Sequence, residues 1–110
     1  MNRVNPTDYS KLQDRQIDAI ITEKRYGISS DLDIQRLFKR GKFDFCNNPS
    51  NAWPIIFENG IELSPVFDGE WCASYIDSYT FTNTMQVVHK NPLRAAMVVY
   101  LSILTQAKEQ

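Results

Sequence analysis

The chain has 110 residues, of which 43% are hydrophobic and 23% are charged, and 12 basic against 13 acidic side chains leave a formal net charge of −1. This composition is typical of one small globular domain and excludes intrinsic disorder. A net charge so near zero argues against a dedicated nucleic-acid-binding protein, which normally carries a basic excess, although a local basic patch stays open.

Two cysteines, Cys46 and Cys72, and a single histidine bear on the environment of the protein. The N-terminal residues lack the apolar stretch of a secretory signal, so an intracellular setting is expected and both cysteines are predicted to be free thiols. One histidine and two distant cysteines do not form a ligand set, so no metal and no cofactor is predicted. The longest apolar run, in the last helix, is too short to span a bilayer.

The first helix is predicted from about Gln13 to Arg25. Either Ser10 or Asp14 is suited to cap it, and Gly27 is suited to end it in the left-handed conformation. Its apolar stripe consists of Ile17, Ile20 and Ile21.

A second, shorter helix is predicted between Ile28 and Phe45, with Ser30 or Asp31 as its cap. Its apolar residues recur at helical spacing and are Ile34, Leu37 and Phe38. Cations oppose the macrodipole at a helix C-terminus. The basic residues that suit this end are Lys39, Arg40 and Lys42.

A third helix is predicted to begin after Asn48, which is a good cap, with Pro49 at the first helical position. Asn59 and Gly60 provide its left-handed end. Pro54 falls inside this helix, so a bend is expected there.

A β-hairpin is predicted around Asp68–Gly69, a dipeptide typical of tight turns. The apolar residues before the turn are Ile61, Leu63 and Phe67, and those that alternate after it are Trp71, Ala73 and Tyr75. The content of threonine, phenylalanine and valine in the stretch from Tyr79 to Val88 predicts a third strand.

The last helix is the strongest feature of the sequence. Asn91 caps it and Pro92 occupies its first position. Its apolar residues at helical spacing are Leu93, Met97, Tyr100, Leu101 and Leu104, and the residues between them are also mostly apolar. A helix that is apolar nearly all round is buried in a core or an interface. Because so little polar surface faces water, a two-fold homodimer is predicted.

These elements predict an α+β fold, with N-terminal helices, a small antiparallel sheet whose hairpin turns at Asp68–Gly69, and a C-terminal apolar helix packed on the sheet. Residues 1–9 are polar and include Pro6, and they are predicted to be a flexible segment. Residues 10–110 are predicted to form a single domain.

The candidate binding residues are seven polar or aromatic side chains: Asn47, Asn48, Asn51, Trp53, Trp71, Asn91 and Arg94. Helix caps and turns are sufficient to explain the asparagines, and core packing is sufficient to explain the tryptophans. The alternative is a pocket in which the asparagine loop, the arginine and the stacking tryptophans hold a ligand.

Arg94 lies in the first turn of the last helix among apolar residues, where a buried cation needs a partner. One interpretation is an ion pair with a carboxylate such as Asp44, Glu62 or Asp77. The alternative is an anion, such as a nucleotide phosphate, held by Arg94 together with the free backbone N–H groups at the helix start.

His89 and Cys46 carry side chains that other proteins use in catalysis, yet no signature motif accompanies either residue. No catalytic residue is therefore predicted. An enzyme, such as a small hydrolase, would need one of these side chains within hydrogen-bond reach of a polar partner in a cleft.

Three stretches carry a resemblance to a known family: residues 8–12 (DYSKL), residues 46–56 (CNNPSNAWPII) and residues 91–97 (NPLRAAM). As a set they resemble the NinX-type family of small proteins of lambdoid phages and prophages, a family of unknown function. The resemblance implies a protein made in the cytoplasm of an infected or lysogenic bacterium, accessory to replication and not part of the virion.

Three function classes follow from the residues and the resemblance. The first is a phage accessory protein that binds a host or phage protein without catalysis, which the near-zero charge and the absence of catalytic motifs favour. The second is a small-ligand or nucleotide-binding protein with an anion site at Arg94. The third is a small hydrolase. A protein partner is expected under the first class, and nucleic acid and membrane are not.

Overall fold

Four helices and three strands form the part of the chain that the structure, a computed structural model, describes: residue 9, residues 11–76 and residues 83–109. The helices are α1 (Asp14–Tyr26), α2 (Asp31–Lys39), α3 (Pro49–Asn59) and α4 (Pro92–Glu109). The strands are β1 (Ile61–Pro65), β2 (Trp71–Ile76) and β3 (Asn83–His89). The predicted α+β class is confirmed, including the apolar C-terminal helix that packs on the sheet.

The sheet is antiparallel, with the strand order β1–β2–β3. The helix α4 contacts all three strands and also contacts α1 and α3. In β3 the side chains alternate, since Met85 and Val87 are buried whereas Gln86 and Val88 are exposed. This alternation is typical of a strand in a sheet with one covered face. The core therefore lies between the sheet and the helices.

The middle of α4 is the most deeply buried segment of the fold. Residues 94–102 are all buried, and they are surrounded by their own chain. The predicted cap is confirmed, because the Asn91 Oδ1 accepts hydrogen bonds from the backbone N–H groups of Leu93 at 3.0 Å and Arg94 at 3.3 Å. The sheet, α1 and α3 thus cover the surface that the sequence assigns to a core or an interface.

Three predicted helix ends are confirmed by the local geometry. The Asn48 Oδ1 accepts a hydrogen bond from the backbone N–H of Ser50 at 3.0 Å, which caps α3. Gly60 ends α3 with φ 62°, and Gly27 ends α1 with φ 72°. Both angles lie in the left-handed region that glycine adopts without steric cost.

The start of α1 differs from the prediction. Gln13 occupies the cap position, and its backbone N–H donates to the Gln16 Oε1 at 2.8 Å. The predicted cap at Asp14 is wrong, since Asp14 is the first helical residue and its carboxylate binds Arg94. Ser10, the other predicted cap, lies outside the described residues. Asp14, which the local sequence predicts as a helix cap, instead forms a long-range ion pair with Arg94.

The hairpin turns where predicted, but its strands are shorter. Pro65 pairs with Trp71, and a single 3₁₀ turn, Phe67–Gly69, joins the strands. Asp68 with φ 63° and Gly69 with φ 72° both adopt the left-handed conformation. The prediction that Phe67 belongs to a strand is wrong, because Phe67 lies in the turn and is 90% exposed. Strand pairing ends before it.

Two predictions fall wholly or partly on residues outside the described ranges. The third strand is described as Asn83–His89, and the predicted start at Tyr79 lies outside. Of the predicted flexible segment, residues 1–9, only Tyr9 is described, and its hydroxyl shares a hydrogen bond with the Thr105 Oγ1 at 2.6 Å. Within the described ranges, no helix is both long enough and apolar enough to cross a membrane.

Candidate functional site

A polar cluster forms where the start of α4 meets the start of α1. Arg94 is buried, and its Nη1 lies 2.5 Å from the Asp14 Oδ1. Its Nη2 donates to the backbone carbonyl of Leu12. The ion-pair interpretation of Arg94 is therefore the one that the structure supports, with a partner 80 residues away along the chain.

Two of the carboxylates that the sequence suggests as partners of Arg94, Asp44 and Glu62, do not pair with it in the described part of the chain. The third, Asp77, lies outside the described ranges. Neither the charge pattern nor the helical spacing of the sequence indicates Asp14, because only the packing of α1 beside α4 brings the two side chains together.

Two asparagines join this cluster. The Asn91 Nδ2 donates to the backbone carbonyl of Cys46 at 2.7 Å and to the Asn47 Oδ1 at 3.2 Å. The Asn47 Nδ2 in turn donates to the Asp14 Oδ2 at 3.2 Å. Both carboxylate oxygens of Asp14 thus accept hydrogen bonds. The cluster of Asp14, Asn47, Asn91 and Arg94 ties α1, the loop before α3, and α4 together.

Asn48 and Asn51 act within the neighbouring loop. Besides capping α3, Asn48 donates from its Nδ2 to the carbonyl of Gly41 at 3.3 Å. The Asn51 Oδ1 accepts a hydrogen bond from the backbone N–H of Asp44 at 2.8 Å. Caps and turns account for both side chains, as the first interpretation of the sequence has it.

The two tryptophans lie outside the hydrogen bonds of this cluster. Trp53 is 58% exposed on α3, and the centroid of its ring is 6.4 Å from that of Phe57. Trp71 is half-buried on β2, between Pro65 of β1 and His89 of β3. The structure therefore brings together Asn47, Asn91 and Arg94, but not the complete set of candidate binding residues.

A buried carboxyl, Asp18, is the feature that the sequence analysis misses. Asp18 is 3% exposed, and its Oδ1 accepts a hydrogen bond from the backbone N–H of Cys46 at 3.1 Å. Burial raises its pKa from 3.8 to about 6, the Cys46 hydrogen bonds lower it in part, and the carboxylates of Asp44 and Asp14 raise it further. Its position directly after Ile17, on the buried face of α1, is the sequence signal that identifies it.

The enzyme alternative depends on Cys46 or His89, and the surroundings of these two side chains bear on it. Burial raises the pKa of the Cys46 thiol, so it stays protonated and is a poor nucleophile. Its Sγ lies 3.8 Å from the carbonyl oxygen of Asp14. The His89 Nδ1 accepts a hydrogen bond from the backbone N–H of Asn91 at 2.9 Å, which orients the loop before α4.

The described cysteines and acidic residues are also predicted to hold no metal ion. Both Cys46 and Cys72 are free thiols, as predicted. Within the described ranges, no three histidine, cysteine, aspartate or glutamate side chains form a group able to hold a metal ion.

We expect Arg94→Ala to lower the free energy of unfolding by about 2 kcal/mol, because it removes one partner of a buried ion pair. The loss is smaller than for a fully enclosed pair, since the Asp14 side chain is 36% exposed. In a double-mutant cycle with Asp14→Ala, urea denaturation at neutral pH should give a coupling free energy of about 1 kcal/mol or more. Additive losses would contradict the ion pair.

Comparison with known proteins gives the family. The family described as Bacteriophage P22, NinX matches residues 8–103. The chain belongs to this phage family. The match includes every residue of the polar cluster and ends within α4, so the family's sequence pattern extends over nearly the whole fold. No curated protein and no solved structure matches the chain.

Proposed function

We propose that this phage accessory protein acts by binding a protein of the host or the phage in the cytoplasm during infection, without catalysis of its own. The outward surface of α3 carries this proposal. Trp53 is 58% exposed and Phe57 is 75% exposed, and the two residues lie one helical turn apart. Two large exposed aromatic side chains on one helix face are unusual for a surface that stays in water.

We define the α3 face as Ser50, Trp53, Pro54 and Phe57. None of these residues is charged. The charged residue of the helix, Glu58, pairs with Arg25 at 3.3 Å at the border of the face. Pro54 has no N–H, so the carbonyl of Ser50 lacks its usual helical partner. The α3 face is therefore apolar, with a charged border.

The α3 face is held firmly by the opposite side of the helix. Ala52, Ile55 and Ile56 are buried in the core, and Asn48 and Gly60 fix the two ends of the helix. A partner would consequently meet two aromatic side chains on a preformed helix, which reduces the entropy lost on binding. Aromatic anchors at positions i and i+4 are typical of a helix that docks into an apolar groove.

A protein with such a groove is favoured over a second copy of the chain. A stable dimer buries about 800 Å² on each partner, and two aromatic side chains supply only part of that area. In addition, α4, whose apolar surface motivates the predicted homodimer, is already covered within one chain. The homodimer stays a prediction, which light scattering tests: a mass of 12.7 kDa at high protein concentration identifies a monomer.

The test is affinity capture from infected cells with the tagged wild-type protein and the double variant Trp53→Ser/Phe57→Ser. The wild type should retain a partner in stoichiometric amounts, and the double variant should bind the purified partner at least about tenfold more weakly, as for residues that dominate an interface. Both side chains are exposed, so the melting temperature should not change.

Phe67→Ser provides the matched control, since Phe67 is an exposed aromatic residue at the hairpin turn. This variant should retain the partner at wild-type affinity. If the double variant and the wild type capture the same proteins with the same affinity, or if neither captures any, the α3 face is not the binding surface and the proposal fails.

A further inference from the structure

The positive charge of the protein is concentrated in one segment. Residues 34–42 contain no acidic residue and four cations, namely Arg36, Lys39, Arg40 and Lys42. All four side chains are exposed, and none forms an ion pair within the described ranges. Like charges this close repel one another unless an anion lies between them.

Three of these cations, Arg36, Arg40 and Lys42, line two neighbouring clefts. The first, of about 330 Å³, is lined by Ile28, Asp33, Arg36, Leu37 and Arg40. The second, of about 200 Å³, is lined by residues that include Arg25, Tyr26, Lys42 and Phe43. The clefts adjoin, because the segments 25–28 and 40–43 each contribute residues to both of them. Together they form a concave basic surface in which Asp33 is the acidic residue.

Aromatic rings lie beside two cations, Arg25 and Lys42, in the second cleft. Tyr26 is 50% exposed and stacks on Phe43 with a centroid distance of 5.0 Å and an interplanar angle of 28°. Phe43 stacks in turn on Phe45 at 5.9 Å. The backbone of Phe43 has φ 61°, a left-handed conformation that is costly for a residue with a β-carbon. The buried Phe45 thus supports a ring stack that ends in the half-exposed Tyr26.

We propose that this basic–aromatic surface, consisting of Tyr26, Arg36, Arg40 and Lys42 with the exposed Lys39 beside them in the sequence, binds single-stranded nucleic acid. Cations that follow the phosphates, combined with an aromatic ring on which an unpaired base stacks, are the recognition chemistry of single-stranded nucleic acids. A duplex keeps its bases stacked inside and has no base to offer to Tyr26. An anionic membrane or an acidic protein would use the cations but not the ring.

The net charge of the whole chain is near zero, which by itself argues against nucleic-acid binding. Binding at one surface depends on the charge there, so the proposal is compatible with this net charge. Asp31, Asp33 and Asp44 flank the segment, and further acidic residues, including Glu62, Asp68 and Glu70 of the β1–β2 hairpin, lie elsewhere in the sequence. The four cations lie within nine residues of the chain, so the local field is positive. The basic–aromatic surface does not include the anion site predicted at Arg94, where the carboxylate of Asp14 binds the guanidinium.

Fluorescence anisotropy with a labelled oligothymidine of about 16 nucleotides tests the proposal. The wild-type protein should bind this oligonucleotide. A plot of log Kd against log salt concentration should have a slope of about 3, which corresponds to about four phosphate contacts. A duplex of the same length and vesicles that contain phosphatidylserine should bind at least about tenfold more weakly, since neither places a base on Tyr26.

Three variants locate the binding surface. Arg40→Ala/Lys42→Ala should raise the Kd about tenfold or more and lower the salt slope by about 1 to 2. Tyr26→Leu should raise the Kd about tenfold and leave the salt slope unchanged, because it removes stacking and no charge. The matched control is Lys11→Ala/Lys90→Ala, which removes two exposed lysines outside the clefts and should leave the Kd unchanged.

Circular dichroism should show that all three variants are folded, since the substituted side chains are exposed. No binding of oligothymidine at low salt overturns the proposal. Equal affinity for oligothymidine, duplex and vesicles, together with an unchanged Kd for Tyr26→Leu, also overturns it and identifies a general polyanion surface. The second cleft shares Ser50 and Pro54 with the α3 face, but the test of that face depends on Trp53 and Phe57 and on another partner, so the two proposals can fail separately.

Discussion

The substitution Met97→Asp should unfold the protein. Met97 is fully buried in the middle of α4, where residues 94–102 are buried without interruption. The cation one turn earlier in the helix, Arg94, is already bound to Asp14. A carboxylate placed at residue 97 would therefore lack a partner, at a cost of about 5 kcal/mol or more, which is comparable to the whole stability of a small domain.

Circular dichroism and thermal denaturation measure this effect, and two controls isolate its cause. Met97→Leu conserves volume and apolar character, so it should cost less than about 1.5 kcal/mol. Val88→Asp introduces the same carboxylate at an exposed position of β3 and should have little effect. A soluble Met97→Asp protein with an unchanged melting temperature would show that α4 is not the core helix.

The substitution Asp18→Asn should stabilise the protein at neutral pH by up to about 3 kcal/mol. Asp18 is 3% exposed, and its Oδ2 has no hydrogen-bond partner within the described ranges. The carboxylate is thus charged at neutral pH in a site that disfavours charge. Asparagine is neutral, has nearly the same shape, and keeps an Oδ1 acceptor for the backbone N–H of Cys46.

The direction of the pH dependence follows from the raised pKa. The pKa of Asp18 is about 6 in the folded protein and 3.8 for an ordinary aspartate, so the folded state holds the proton more tightly. The resulting stabilisation is complete below the unfolded pKa and is lost as the pH rises through about 6. A difference of this size in pKa corresponds to about 3 kcal/mol. Wild type and Asp18→Asn should therefore be similar in stability near pH 4 and diverge toward pH 7.

Urea denaturation of both proteins at intervals between pH 4 and pH 7 provides the measurement. The difference in free energy of unfolding between the two proteins is the relevant quantity, since it cancels the titration of all other groups. Asp33→Asn is the matched control, because it makes the same chemical change at an exposed aspartate of α2. A difference between wild type and Asp18→Asn that does not change with pH would mean that Asp18 titrates normally.

Much of the fold is predictable because its signals are local. The Asn48 and Asn91 caps, the glycines after α1 and α3, and the Asp68–Gly69 turn each depend on the conformation of a few consecutive residues. The burial of α4 is also predictable, since an apolar surface that surrounds a helix leaves no face for water. The order of helices, hairpin and final helix follows from these elements.

The contacts of the candidate sites depended on tertiary structure. The sequence indicates that Arg94 needs a carboxylate, but only the packing of α1 against α4 selects Asp14, 80 residues away. The same packing buries Asp18 and leaves Trp53 exposed.

By itself, then, the sequence determined where α3 and α4 begin, which helix is buried and that Arg94 requires a partner. Tertiary structure decided which carboxylate pairs with Arg94, which aspartate is buried away from water, and that Lys42 and Tyr26 line the same cleft. The physical reason is range: dihedral preferences, caps and turns act within a few residues, whereas desolvation and ion pairing depend on atoms that only the folded chain brings together.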